Sequence, residues 1–281
     1  MTIQKELENG FQYLEIKNSH AHAKIALQGA HLFHYQAKEK KPLLWLSDLA
    51  HFEEGKAIRG GIPICFPWFG KNREDKTLAQ HGFARNQQWK LMLTQELADG
   101  STHLQLLLTP NKETRKVWDY NFLLIFNVTI GAELTLSLTT INCDTQAFEI
   151  TQALHTYFNV SNIQNIAIKG LEQSVYYDTL ERQLGKQHGV VSIKEEVDRV
   201  YFDAPSKIIL EESERAITLN SEGSNSLVIW NPWHEKTKQM SDMPDKSYQT
   251  MVCLETANVL KDFVLLRPNE SHTLKVMIAQ N

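Results

Sequence analysis

Apolar residues fall on alternate positions along most of the chain. In residues 121–131, Phe122, Leu124, Phe126, Val128 and Ile130 share one parity; just beyond, Leu134, Leu136 and Leu138 alternate with Thr135, Ser137 and Thr139. A period of two is that of a strand with one buried face, so these segments are expected to be antiparallel strands joined at Gly131. The same alternation marks residues 23–28, 103–109 and 272–280, and residues 216–230 on either side of a Glu-Gly-Ser-Asn turn, which read as a further hairpin. Helical periodicity is weak: only residues 241–249 could hold a single turn. No repeat, charge block or linker-like stretch marks a boundary. The pattern predicts one mostly antiparallel all-β domain over residues 1–281, with one sheet face on the core and a concave face open to solvent.

Composition narrows the function. Basic and acidic side chains number 29 and 33 among 281 residues, a net charge of −4, which argues against a nucleic-acid surface or a polybasic membrane patch. The charged N-terminal stretch lacks the apolar run of a secretory signal, and the longest apolar runs, such as residues 122–126, are far short of the ~20 residues of a membrane helix. Three widely spaced cysteines without a CxxC pair argue against a disulfide framework or a thiolate zinc site, and a cytoplasmic location is expected.

The candidate chemistry lies in a few segments. Arg59 opens "RGGIPICFPWFG" and Arg85 closes "QHGFARN"; a guanidinium beside flexible glycines suits recognition of phosphate or carboxylate, with simple salt bridges as the competing reading. In "ITQALHTYFNV", read as a strand, Leu154, Thr156 and Phe158 share one face and Ala153, His155 and Tyr157 the other, so His155 points away from the main core. An imidazole there can move a proton near neutral pH, or it can be a buried histidine satisfied by one hydrogen bond. Glu255 follows "MVCL", apolar on both parities, which places its carboxylate near the interior, where a partner or ligand must compensate it. Asp198 in "EVDRVY" is a further acid, or a local partner of Arg199. Phe66, Trp68, Phe69, Trp230 and Trp233 read as core. His20, His22, His31 and His34 complete no local set of zinc ligands, and no phosphate-loop, dinucleotide or nucleophile-elbow motif is present.

Taken together, "RGGIPICFPWFG", "QHGFARNQQW", "LHTYFNV", "DRVY", "WNPW" and "CLETANV" resemble, in order and spacing, the glucose-6-phosphate 1-epimerase family within the aldose 1-epimerase group. The resemblance implies a galactose-mutarotase-like β-supersandwich with few short helices, acting as a monomer on a small-molecule hexose 6-phosphate, without metal or cofactor. By motif it implies His155 as general acid and Glu255 as general base. It also implies Asp198, Gln80 and His81 as substrate-binding residues, and Arg59 and Arg85 as phosphate ligands, with Gly60 and Gly61 letting the chain bend close to the ligand. Relatives often carry proline where this chain has Ala79 and Thr256. The resting pair is expected to be a protonated His155 beside an ionised Glu255. The alternatives are an epimerase of free hexoses, a silent sugar-phosphate binding protein, and a glycoside hydrolase using Asp198 and Glu255.

Overall fold

The computed structural model describes residues 1–281. Its core lies between two large antiparallel sheets. One has eight strands, in the spatial order Ala167–Lys169, Lys207–Glu211, Ala216–Glu222, Ser271–Gln280, Leu134–Asn142, Phe122–Ile130, Thr102–Leu108 and Lys90–Glu96. The other has seven: β1 (Ile64–Cys65), β2 (Gln152–Asn159), β3 (Val175–Asp178), β4 (Gln183–Lys186), β5 (Val197–Phe202), β6 (Ser226–Asn231) and β7 (Met251–Asn258), in the order β4-β3-β5-β6-β7-β2-β1. The N-terminal strands Thr2–Glu6, Gln12–Lys17, Ala21–Ala26 and His31–Ala37 form a separate antiparallel sheet.

The alternation in residues 122–142 is borne out, strand by strand. Phe122–Ile130 and Leu134–Asn142 each alternate buried and half-buried positions and pair across Gly131. Their buried faces meet Leu154, Phe158 and Leu254 of the second sheet in one core cluster. The pattern in residues 216–230 misleads: its two strands do not pair. Ala216–Glu222 pairs within the eight-stranded sheet and β6 within the seven-stranded one, so the Gly223 turn carries the chain from one sheet to the other. Two six-residue helices were not legible: α1 (Lys112–Val117), started by an Asn111 capping box, and α2 (Trp233–Lys238). Each is too short to display a helical period.

The glycines after Arg59 serve a different purpose from the one expected of them. Neither lines the main cleft. At φ +106 and +65, a Cβ on Gly60 would sit 2.6 Å from the Trp45 carbonyl oxygen, and one on Gly61 would sit 2.5 Å from that of Leu32. They let the Arg59 segment lie against neighbouring backbone, not against a ligand. Beneath them the fully buried His31 donates from Nε2 to the Gly60 carbonyl oxygen at 2.8 Å.

Burial first, opposed by that hydrogen bond, lowers the pKa of His31 from 6.5 to about 4. A histidine depressed in the folded state stays neutral while its unfolded counterpart takes up a proton, so its contribution is complete above pH 6.5 and is lost as pH falls toward 4. His34 and His81 shift the same way, to about 4 and about 3, as does His155, while Asp198 and Glu255 shift upward and oppose them. The loss of urea-unfolding stability between pH 7 and pH 4 is expected to be smaller by on the order of 3 kcal/mol in His31→Gln than in the wild-type protein; the same pH dependence in both would contradict this.

Candidate active site

The seven-stranded sheet turns its other face to a cleft of about 1130 Å³. Strand pairing builds the floor. His155 on β2 is directly opposite Glu255 on β7, Glu255 is opposite Val228 on β6, and Asp198 on β5 is opposite Trp230. Directly opposed residues present their side chains on one face, about 5 Å apart at Cβ, so the register brings together residues 100 positions apart in the chain. His155 Nε2 lies 3.3 Å from Glu255 Oε1, with their side chains 9% and 1% exposed. The second polar atom of each, His155 Nδ1 and Glu255 Oε2, is buried with no hydrogen-bond partner in the protein.

The walls come from loops. Arg59 is held on two sides: its Nε donates to Asp242 Oδ2 at 3.0 Å and its Nη1 to the Tyr157 hydroxyl at 3.0 Å. Arg85 is different. Its Nη2 donates to the Gln80 carbonyl oxygen at 2.7 Å, its Nε has no partner, and it joins no ion pair. His81 follows the exposed Gln80 at the rim and adopts a left-handed φ of 64, a region where histidine is enriched among non-glycine residues. Its Nδ1 accepts from the Gly70 backbone N–H at 3.3 Å, so the proton of the neutral ring sits on Nε2. The ring meets Phe69 edge-on at 4.7 Å and His155 at 5.7 Å. Next to it, a Cβ on Gly82 would lie 2.0 Å from the Phe66 carbonyl oxygen, so this glycine too answers to backbone packing.

Burial dominates the electrostatics of the pair. Burial pushes the His155 pKa well below its ordinary value, aided by His81, Arg85 and Arg59. Burial pushes Glu255 well above the carboxylate range, aided by Asp198 and opposed by Arg85. Both directions favour the neutral forms over the ion pair. The neutral pair and the ion pair are tautomers, differing by the transfer of one proton across the 3.3 Å between them. Asp198 is raised by burial, which a hydrogen bond to Thr179 offsets in part.

All seven residues singled out in the sequence, Arg59, Gln80, His81, Arg85, His155, Asp198 and Glu255, line this one cleft. The local pairing considered for Asp198 does not occur; Arg199 binds Asp178, Nε to Oδ2 at 3.0 Å. Phe66 is core as expected, but Trp68, Phe69 and Trp230 also face the cleft. Sequence reasoning missed Asp242, 183 positions from Arg59, and gave Tyr157 no role, although its shared parity with His155 was a usable signal. No group of three or more His, Cys, Asp or Glu side chains converges as a metal-ligand set.

Several known proteins are similar to this chain in sequence and fold. The aldose 1-epimerase family model matches residues 12–279. A protein of Cenchrus ciliaris provisionally named glucose-6-phosphate 1-epimerase is 37% identical over 260 residues, covering 88% of this chain and 78% of the relative. One of the same provisional name from Escherichia coli K12 is 37% identical over 240 residues, covering 84% and 79%. The crystal structure of a provisionally named mutarotase from Salmonella typhimurium superposes with a TM-score of 0.93 at 30% identity, over 99% of this chain and 93% of that one. A galactose mutarotase related enzyme from Lactobacillus acidophilus, 16% identical, shares the fold with a TM-score of 0.76 over 96% and 97% of the two chains. The architecture is thus the galactose-mutarotase-like β-supersandwich.

Proposed function

The chain belongs to the aldose 1-epimerase family and is an isomerase of sugar anomers, and we propose that its substrate is a hexose 6-phosphate, glucose 6-phosphate in particular, with His155 and Glu255 moving the protons. The observation that carries this reading is the buried His155–Glu255 pair, 3.3 Å apart on the floor of a cleft whose wall holds an arginine in no ion pair, Arg85.

The chemistry needs two groups. The C1 hydroxyl must lose a proton as the C1–O5 bond breaks and its electrons leave with O5, which must gain one. Glu255 takes the first proton and His155 donates the second. The resulting aldehyde rotates about C1–C2, and the same groups in reversed roles close the ring on the other face. A bound sugar selects the required tautomer: its O1–H donates to a carboxylate and its O5 accepts from an imidazolium. The 6-phosphate contributes as well. A dianion against Arg85 and Arg59 cancels the positive charge that helps depress His155, so the imidazole gains proton affinity as the sugar is anchored. Asp198, Gln80 and His81 are assigned to the sugar hydroxyls, and the unit that does this is the single domain formed by residues 1–281.

Saturation-transfer NMR on glucose 6-phosphate, galactose 6-phosphate and glucose tests the reading. Anomer exchange of glucose 6-phosphate is expected to rise far above its spontaneous rate, with free glucose accelerated much less. No acceleration would leave a silent binding protein, and equal acceleration of glucose would point to a free-hexose epimerase.

A further inference from the structure

Tyr157 occupies the centre of the site without a part in the proton transfers. It shares the cleft face of β2 with His155, two residues away, and only 2% of it is exposed. Its ring lies parallel to the His155 imidazole, centroids 4.8 Å apart and planes at 9°. Trp45 stacks against the ring at 5.9 Å and 23°, and Trp230 meets it edge-on at 6.0 Å while also meeting His155 edge-on at 6.3 Å. A ring so enclosed has one orientation, and so does an imidazole laid flat on it. At its other end the hydroxyl accepts from Arg59 Nη1 at 3.0 Å.

That hydrogen bond complements the ion pair. Asp242 engages Arg59 through Nε alone, and a single contact leaves a guanidinium free to swing about it. A second contact at Nη1 fixes the plane of the fork, which is what bidentate recognition of an oxyanion requires. Burial keeps the phenol protonated at any ordinary pH, so this contact does not titrate away.

We infer that Tyr157 is a positioning residue that ties the anion anchor to the proton donor: its hydroxyl sets the guanidinium of Arg59 and its ring sets the plane of the His155 imidazole. The inference rests on the assignment of the cleft to a hexose 6-phosphate, and the two fail separately in the following experiment.

Titration calorimetry of glucose 6-phosphate and of glucose is carried out on the wild-type protein, Tyr157→Phe, Arg59→Ala and the double variant. Tyr157→Phe keeps the stacked ring and removes only the contact to Arg59. It is expected to weaken glucose 6-phosphate binding about tenfold, as loss of one hydrogen bond to a charged group does. Glucose binding should be unchanged, and no further loss should appear in the Arg59→Ala background, because the hydroxyl acts through Arg59. Wild-type affinity in Tyr157→Phe, an equal loss for glucose, or full additivity with Arg59→Ala would each overturn the inference. For the ring, NMR titration of the His155 imidazole in Tyr157→Leu should show its pKa moving up as water reaches the exposed face, while Tyr157→Phe leaves it in place; an unmoved imidazole in Tyr157→Leu would overturn that half. A wild-type protein that binds glucose 6-phosphate without exchanging its anomers sinks the proposed reaction, and the binding cycle still decides Tyr157.

Discussion

Glu255→Gln is expected to lower turnover of glucose 6-phosphate by about 10²- to 10⁴-fold, the range that general acid or base catalysis contributes. His155→Ala should fall in the same range, and the double variant should be little worse than either, since the two act as one unit. The glutamine variant is the cleaner of the two. Burial favours the protonated form of Glu255, and an amide is close in shape and charge to that neutral acid. The fold should therefore accept it, and thermal unfolding near the wild-type midpoint would assign the lost activity to proton transfer. The measurement is single-enzyme anomer exchange at saturating substrate; near-normal exchange by either variant would remove the pair from the mechanism.

The second large effect separates the two arginines. Arg59 already carries Asp242 as a partner, 3.0 Å away, whereas Arg85 joins no ion pair. A phosphate dianion gains more from the uncompensated cation, because the Asp242 carboxylate opposes the approach of a second anion to Arg59. Arg85→Ala is thus expected to raise the KM for glucose 6-phosphate toward a hundredfold, and Arg59→Ala nearer tenfold, both within the span of one or more lost hydrogen bonds to a charged group. The kcat/KM for glucose should hold in both. Equal effects on the two sugars would show that the arginines hold the fold, not the phosphate; a larger effect at Arg59 would reverse their order.

Much of this site was legible before the fold, for reasons visible residue by residue. Glu255 announced itself because a carboxylate after "MVCL" has no exposed parity to occupy, and it is 1% exposed in the structure. His155 was placed on the cleft face by counting parity from Leu154 and Phe158, both core residues. The roles of Arg59, Gln80, His81, Arg85 and Asp198 came from the family resemblance; by their own neighbours the arginines read more readily as salt-bridge partners and Asp198 as a local pair or turn residue. The aromatic segment after Arg59 was assigned to the core, and Trp68 and Phe69 turned out to serve core and cleft together.

What the sequence by itself determined is local: which segments are strands, which face of each is apolar, and which residue types are available for chemistry. These depend on a period of two and on side-chain character, both readable along the chain. Sheet membership was decided elsewhere, as residues 216–230 show, because alternation states that a strand has a buried face and is silent about its neighbour. The same holds for the site. The pairing of β2 with β7 sets His155 against Glu255, Asp242 and Tyr157 constrain Arg59 from distant positions, and enclosure by surrounding strands raises the pKa of Glu255. Desolvation and strand register are properties of the assembled molecule, and only the tertiary structure supplies them.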